Sequence, residues 1–62
     1  MSSRLPRVKA LYDSQVEEPD ELTFYEGDII EVLEPDSDGW SKGILRGILG
    51  IFPSNYVKPL ED

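Results

Sequence analysis

Apolar residues in this chain fall in short runs with a two-residue period, and no segment carries the period of a helix. Val8 and Ala10 alternate with Arg7 and Lys9, which predicts a short strand with Val8 and Ala10 facing inward. Leu22 and Phe24, on either side of Thr23, alternate as a half-buried strand does. Ile29 to Leu33 is rich in β-branched residues and long enough for a strand, with Ile30 and Val32 on one face. Trp40 to Leu45 and Ile48 to Phe52 read as hairpin partners joined tightly through Leu45-Arg46-Gly47. Gly43 inside the first of these marks a bulge or a close backbone approach. Val57 to Leu60 adds a short final strand. The expected core is Val8, Ala10, Leu22, Phe24, Ile30, Val32, Phe52 and Val57. Five strands with short connections and no helix predict an all-β domain, either a small barrel or two packed antiparallel sheets.

The connections carry their own signals. Tyr25-Glu26-Gly27-Asp28 is a turn in which Gly27 supplies a positive φ, and Tyr25 is expected to be an exposed turn residue without a role. Glu34-Pro35-Asp36-Ser37-Asp38-Gly39 reads as a polar loop rich in strand breakers. Pro53-Ser54-Asn55-Tyr56 ends the preceding strand, because proline lacks a ladder donor and Ser and Asn favour turns. The longest connection, Ser14 to Glu21, has no helical period and holds Glu17, Glu18, Asp20 and Glu21. Loops of that length in a compact domain are usually functional or disordered. Apolar anchors bracket this one, so the expectation is an ordered, acid-edged loop that faces a ligand.

Sixty-two residues make one small domain, which buries only about 60% of the surface its unfolded chain exposes. The expected boundaries are a patternless start at 1–6, a domain at 7–60 and a short end at 61–62. No cysteine is present to staple the fold or bind metal as thiolate, which fits a reducing compartment. No apolar run is long enough to span a membrane as a helix, and the first six residues lack the apolar region of a signal peptide. Six Lys/Arg against thirteen Asp/Glu give a formal charge of −7, a field that repels phosphate backbones and anionic lipid and attracts cationic partners. Nucleic acid and membrane are therefore poor partners.

Catalytic chemistry finds little to work with. Without histidine or cysteine the chain has no ready base near neutrality and no thiolate nucleophile. Every carboxylate is expected on a turn or loop, where water keeps its acidity ordinary, and no phosphate-cradling glycine loop occurs. Asp36-Ser37-Asp38-Gly39 has the look of a calcium-loop start. The spacing then requires an oxygen ligand at Trp40, a glycine at Ser41 and a glutamate at Gly47, and all three fail. No enzyme, no metal and no cofactor is expected.

Six short pieces stand in one order: Ala10-Leu11-Tyr12-Asp13, Asp20-Glu21-Leu22-Thr23-Phe24, Glu26-Gly27-Asp28, Gly39-Trp40, Gly50-Ile51-Phe52-Pro53 and Ser54-Asn55-Tyr56-Val57. In this order and spacing the chain resembles the Src-homology-3 (SH3) family from about Arg7 to Leu60. The resemblance implies a five-stranded barrel with a short 3-10 turn at Ser54-Asn55-Tyr56 before the last strand. It implies a ligand too, a proline-rich segment in polyproline II conformation, and a parent that is a larger cytoplasmic adaptor, signalling or endocytic protein. The family's groove positions fall on Tyr12, Trp40, Pro53, Asn55 and Tyr56, and its acidic specificity position falls on Glu21.

The residue types suit that task. A polyproline helix has three residues per turn and free carbonyls, so its receptor needs flat aromatic walls and a few donors. Tyr12, Trp40 and Tyr56 each join an apolar body to a polar tip, Asn55 offers an amide donor, and Pro53 is a rigid floor. Trp40, after a polar loop and at the start of a strand, is expected to be exposed. A basic ligand residue would meet Glu17, Glu18, Asp20, Glu21, Glu34 and Asp36, which lie in the two loops flanking the groove. Arg pairs with a carboxylate bidentately and is favoured over Lys. Two positions depart from or vary within the family pattern. Ser14 stands where an aromatic commonly walls one proline pocket, and Ile51 stands where some members carry tyrosine.

Three other readings stay open: an atypical module reading a Lys/Arg-rich motif without PxxP, an assembly domain meeting a folded surface or a second copy through Tyr25, Trp40 and Ile51, and a nucleic-acid-binding barrel, which the charge opposes. A monomeric peptide binder is the expectation.

Overall fold

The computed structural model describes residues 5–60; of the expected ends at 1–6 and 61–62, residues 1–4 and 61–62 lie outside the described residues. The strands are β1 (Arg7–Ala10), β2 (Ile29–Ser37), β3 (Trp40–Leu45), β4 (Ile48–Pro53) and β5 (Val57–Pro59), with a 3-10 turn at Ser54–Tyr56. They form one antiparallel sheet in the order β4-β3-β2-β1-β5. The sheet is single rather than a pair, and no ladder joins β4 to β5 among the described residues.

Two of the connections are two-residue hairpin loops. Asp38-Gly39 joins Ser37 to its partner Trp40, and Arg46-Gly47 joins Leu45 to Ile48. All four loop residues have positive φ (55°, 87°, 51° and 80°), the geometry whose twist matches that of the flanking strands. This corrects the expected loop at Glu34–Gly39. β2 runs through Pro35 to Ser37, and only Asp38-Gly39 turns. Pro35 is tolerated because the register shifts between Glu34 and Ser37, so no ladder bond is asked of it.

The inward face of the sheet carries Ala10, Ile30, Leu45 and Phe52, and the chain before β2 adds Leu22 and Phe24. All six are buried, with Val8, Val32, Tyr56 and Val57 packed against them. Phe24 and Phe52 meet edge to face, with centroids 6.5 Å apart and planes at 84°. Leu45 joins a core otherwise expected in full. Gly43 sits where a Cβ would collide with the Glu31 carbonyl and crowd Ile30 and Phe52, so here close strand approach, and not a turn, demands glycine.

Leu22 and Phe24 are buried as expected, but their segment is not a strand. Among the described residues, the limb returning from the acidic loop pairs with the β4 backbone through one isolated parallel bridge, Glu21 to Ile51. The Leu22 N–H donates to the Ile51 carbonyl (2.8 Å) and the Ile51 N–H donates to the Asp20 carbonyl (2.9 Å). Those bonds cover part of the outer edge of β4, which would otherwise be an unpaired template.

Asp28 departs from the expectation that every carboxylate keeps ordinary acidity. Its Oδ2 accepts the Tyr25 N–H at 2.9 Å, and its Oδ1 accepts Arg46 Nη2 at 2.9 Å. The Tyr25 N–H, helped by the Arg46 guanidinium and opposed by desolvation, lowers the Asp28 pKa. A carboxylate whose folded pKa is depressed stabilises the fold above its unfolded value, about 3.9, and loses that contribution as pH falls through the lowered value. Urea titrations of the wild type and Asp28→Asn should therefore differ most near neutrality. The gap should shrink below about pH 4, and a gap independent of pH would remove the charged contribution.

Candidate functional site

The sheet order and the bridge at Ile51 bring the long acidic loop against the start of β3 and the end of β4. Between them lies a cleft of about 210 Å³ lined by Ser14, Gln15, Glu17, Glu21, Leu22, Trp40, Pro53 and Tyr56. One wall is acidic. The other is aromatic and prolyl.

Each wall residue is held by backbone it did not choose independently. Trp40 and Pro53 are register partners across β3 and β4, so their side chains share the outer face. Trp40 is 37% exposed, as expected for a groove residue at a strand start. Glu21 stands between two residues whose backbones both bond Ile51, which fixes its Cα. Gly50, next to Ile51, permits the approach: a Cβ there would lie 2.9 Å from the Asp20 carbonyl and 3.0 Å from Leu22. The Glu21 carboxylate also accepts the Glu17 N–H at 3.2 Å, which ties the loop limbs together above the cleft.

Tyr56 connects the cleft to the core. Its ring meets Phe24 edge to face (6.3 Å, 86°) on one side and Tyr12 (5.5 Å, 79°) on the other. Tyr12 stays 58% exposed, and Asn55 is exposed at the middle of the 3-10 turn. Tyr12, Tyr56, Pro53 and Trp40 thus line a continuous path.

The 3-10 turn is fastened to the β2–β3 hairpin at three points. The Ser54 N–H donates to the Gly39 carbonyl (2.9 Å), and the Ser54 hydroxyl donates to Asp36 Oδ1 (2.7 Å). Ser41 Oγ lies 2.9 Å from Ser54 Oγ. The Ser54 proton already goes to Asp36, so Ser41 is the donor in that contact. Ser41 is buried, and this bond satisfies its hydroxyl. Ser54 and Ser41 were not singled out in the sequence, where only the turn-favouring serine of Pro53-Ser54-Asn55 hinted at a local role.

The carboxylates named in the sequence divide. Glu17 and Glu21 line the cleft. Asp36 points into the turn network. Glu34 lies 4.0 Å from Lys42, a wet pair of the kind that contributes little. Glu18 and Asp20 are exposed at the loop tip, outside the cleft lining. Ser14 lines the cleft, and both its N–H and its Oγ engage the Phe24 backbone: the N–H donates to the Phe24 carbonyl (2.9 Å), and Oγ accepts the Phe24 N–H (3.0 Å). Ile51 is half-buried on β4, and its backbone anchors the loop. Tyr25 is 58% exposed.

Among the described residues no cluster of His, Cys, Asp and Glu suited to a metal ion occurs, and no helix is long and apolar enough to cross a membrane.

Comparison with known proteins gives this architecture a lineage. The family model for the variant SH3 domain matches residues 10–58. The class E vacuolar protein-sorting machinery protein HSE1 of Saccharomyces cerevisiae is 59% identical over 56 residues, which are 90% of this chain and 12% of that protein. The chain therefore spans about an eighth of that curated relative. The C-terminal SH3 domain of myosin IB from Entamoeba histolytica, solved with the EhFP10(GEF) peptide bound, superposes with a TM-score of 0.89 at 49% identity, covering 98% of this chain and 91% of that one. The Acanthamoeba myosin I SH3 domain bound to Acan125 gives 0.87 at 46% identity, covering 94% and 100%. With the family model spanning most of its length, this chain belongs to the SH3 family.

Proposed function

We propose that this domain is a non-catalytic peptide-recognition module that docks a proline-rich segment bearing a basic residue, Arg in preference to Lys. The observation that carries the proposal is the cleft in which Glu17 and Glu21 face Trp40, Pro53 and Tyr56, continuous with Tyr12. The ligand's prolines lie along Tyr12, Tyr56 and Pro53, Asn55 donates to a ligand carbonyl, and the basic side chain enters between Trp40 and Glu21. The myosin IB SH3 neighbour holds a peptide and the Acanthamoeba one is bound to Acan125, which supports peptide docking here. The setting is a larger intracellular protein, and the likeness to a vacuolar sorting protein supports an adaptor of endosomal sorting.

Ser14 favours a second, narrower reading. Its hydroxyl is engaged with the Phe24 backbone and its side chain is too short to wall a proline pocket beside Tyr12. One proline site is shallow, so the acid-lined half of the groove takes a larger share of recognition, as in an atypical basic motif.

The test is an NMR titration with an Arg-flanked PxxP peptide beside a copy with both prolines changed to alanine. The account expects shifts at the Trp40 indole, the Asn55 amide, Tyr12 and Tyr56 that the alanine copy fails to produce, and at least about tenfold weaker binding for Trp40→Ala. Equal shifts from both peptides, centred on the acidic loop, would favour the basic-motif reading; none from either would sink peptide docking.

Asp36 acts by positioning. Asp36→Ala leaves Ser54 without its acceptor, so amide exchange at Ser54–Tyr56 should quicken and peptide binding should weaken about 2–10-fold, the equivalent of one hydrogen bond. That loss should be the same for a ligand with Arg or with Gln at the basic position. A loss confined to the Arg ligand would make Asp36 a direct reader.

A further inference from the structure

The outer face of β1 and β5 concentrates positive charge in an otherwise acidic chain. Lys9 and Lys58 are register partners across the two strands, and both are exposed. The flanking bonds, Leu11 N–H to the Tyr56 carbonyl and Leu60 N–H to the Arg7 carbonyl, put the pair in hydrogen-bonded register, with Cα atoms about 5.5 Å apart. Like charges directly opposite one another destabilise a sheet. The neighbour of Lys9 on its other side is Ile29, exposed and apolar, and the nearest carboxylate in the register is Glu31, which faces Arg7 one row away. Among the described residues no carboxylate pairs with either lysine. Lys9, Lys58, Pro59 and Leu60 line an open cleft of about 500 Å³.

We infer that the Lys9–Lys58 pair, with Pro59, Leu60 and Ile29 beside it, is a second binding surface, separate from the aromatic groove, for an extended acidic peptide segment. β5 is three residues long and carries Pro59, so it offers little ladder to an added strand and recognition runs through side chains. An extended segment with carboxylates at i and i+2 presents them on one face about 6–7 Å apart, comparable to the Cα separation of about 5.5 Å expected for the lysine pair. The bound carboxylates relieve the repulsion that the free domain carries. An anionic membrane is the weaker fit, because a net charge of −7 is repelled by an extended negative surface more than by a short segment.

The experiment titrates labelled protein with the peptide Glu-Val-Glu-Val-Glu, its Gln-Val-Gln-Val-Gln counterpart, and phosphatidylserine vesicles. The expected result is a set of amide shifts at Lys9, Lys58 and Leu60 with the Glu peptide alone, without movement of the Trp40 indole. Lys58→Glu should abolish those shifts while raising the thermal midpoint by about 2–6 °C, since it turns a repulsive cross-strand pair into an attractive one. Lys42→Glu changes net charge equally on the β2–β3 side and should leave the shifts intact. Shifts surviving in Lys58→Glu, lost equally in Lys42→Glu, shared by the Gln peptide or absent altogether would overturn the proposal, as would binding to the vesicles alone.

Discussion

Two backbone hydrogen bonds at Ile51 organise this molecule. One runs from Leu22 and one to Asp20, and together they fasten the acidic loop to the edge of β4. Because they bracket Glu21, they set its carboxylate opposite Trp40 and Pro53, which the β3–β4 register has already placed side by side. They also leave Leu22 buried against Gly50, so the same contact that aims the loop completes the core. Backbone bonds of this kind hold a loop without relying on long, entropically costly side chains. A loop fixed in advance loses less freedom when ligand arrives, and that preserves affinity.

The remaining structure reinforces that arrangement from below and from the side. An edge-to-face series from Phe52 through Phe24 and Tyr56 to Tyr12 links the centre of the core to the exposed groove. The Asp36–Ser54–Ser41 chain holds the 3-10 turn against the hairpin and so helps place Tyr56 and Asn55. Charge is divided between two clefts: Glu17 and Glu21 line one, Lys9 and Lys58 the other. In a chain of net charge −7 such a division suits the proposed docking of a basic and an acidic segment at separate places.

Much of this was legible in the residues themselves. Alternation placed β1, the tight Leu45-Arg46-Gly47 connection and the breakers around it placed β3, β4 and β5 within a residue or two, and Gly43 signalled a close backbone approach because only a missing Cβ fits there. What eluded the sequence was decided by tertiary partners. β2 passes through Pro35 because a register shift, invisible in composition, removes the need for its N–H. Leu22–Phe24 alternates like a strand, yet among the described residues its limb hydrogen-bonds the β4 backbone only at Ile51, since burial rather than a ladder is what the alternation recorded. Asp28 acquired its depressed pKa from Tyr25 and Arg46, and no local pattern announces the latter, eighteen positions away. The groove side chains stood out through their resemblance to a family, whereas the serines that brace them did not, because a hydroxyl's partner is set by the fold.

We propose that Glu21, aimed by the Ile51 bonds, reads the basic residue of a proline-rich ligand. A double-mutant cycle crossing Glu21→Gln in the domain with Arg→Gln in the peptide tests it most directly. The predicted result is a coupling of about 1 kcal/mol that diminishes with added salt, as a charge-assisted contact in a half-open cleft requires. A coupling of zero, with the two losses simply additive, would contradict it.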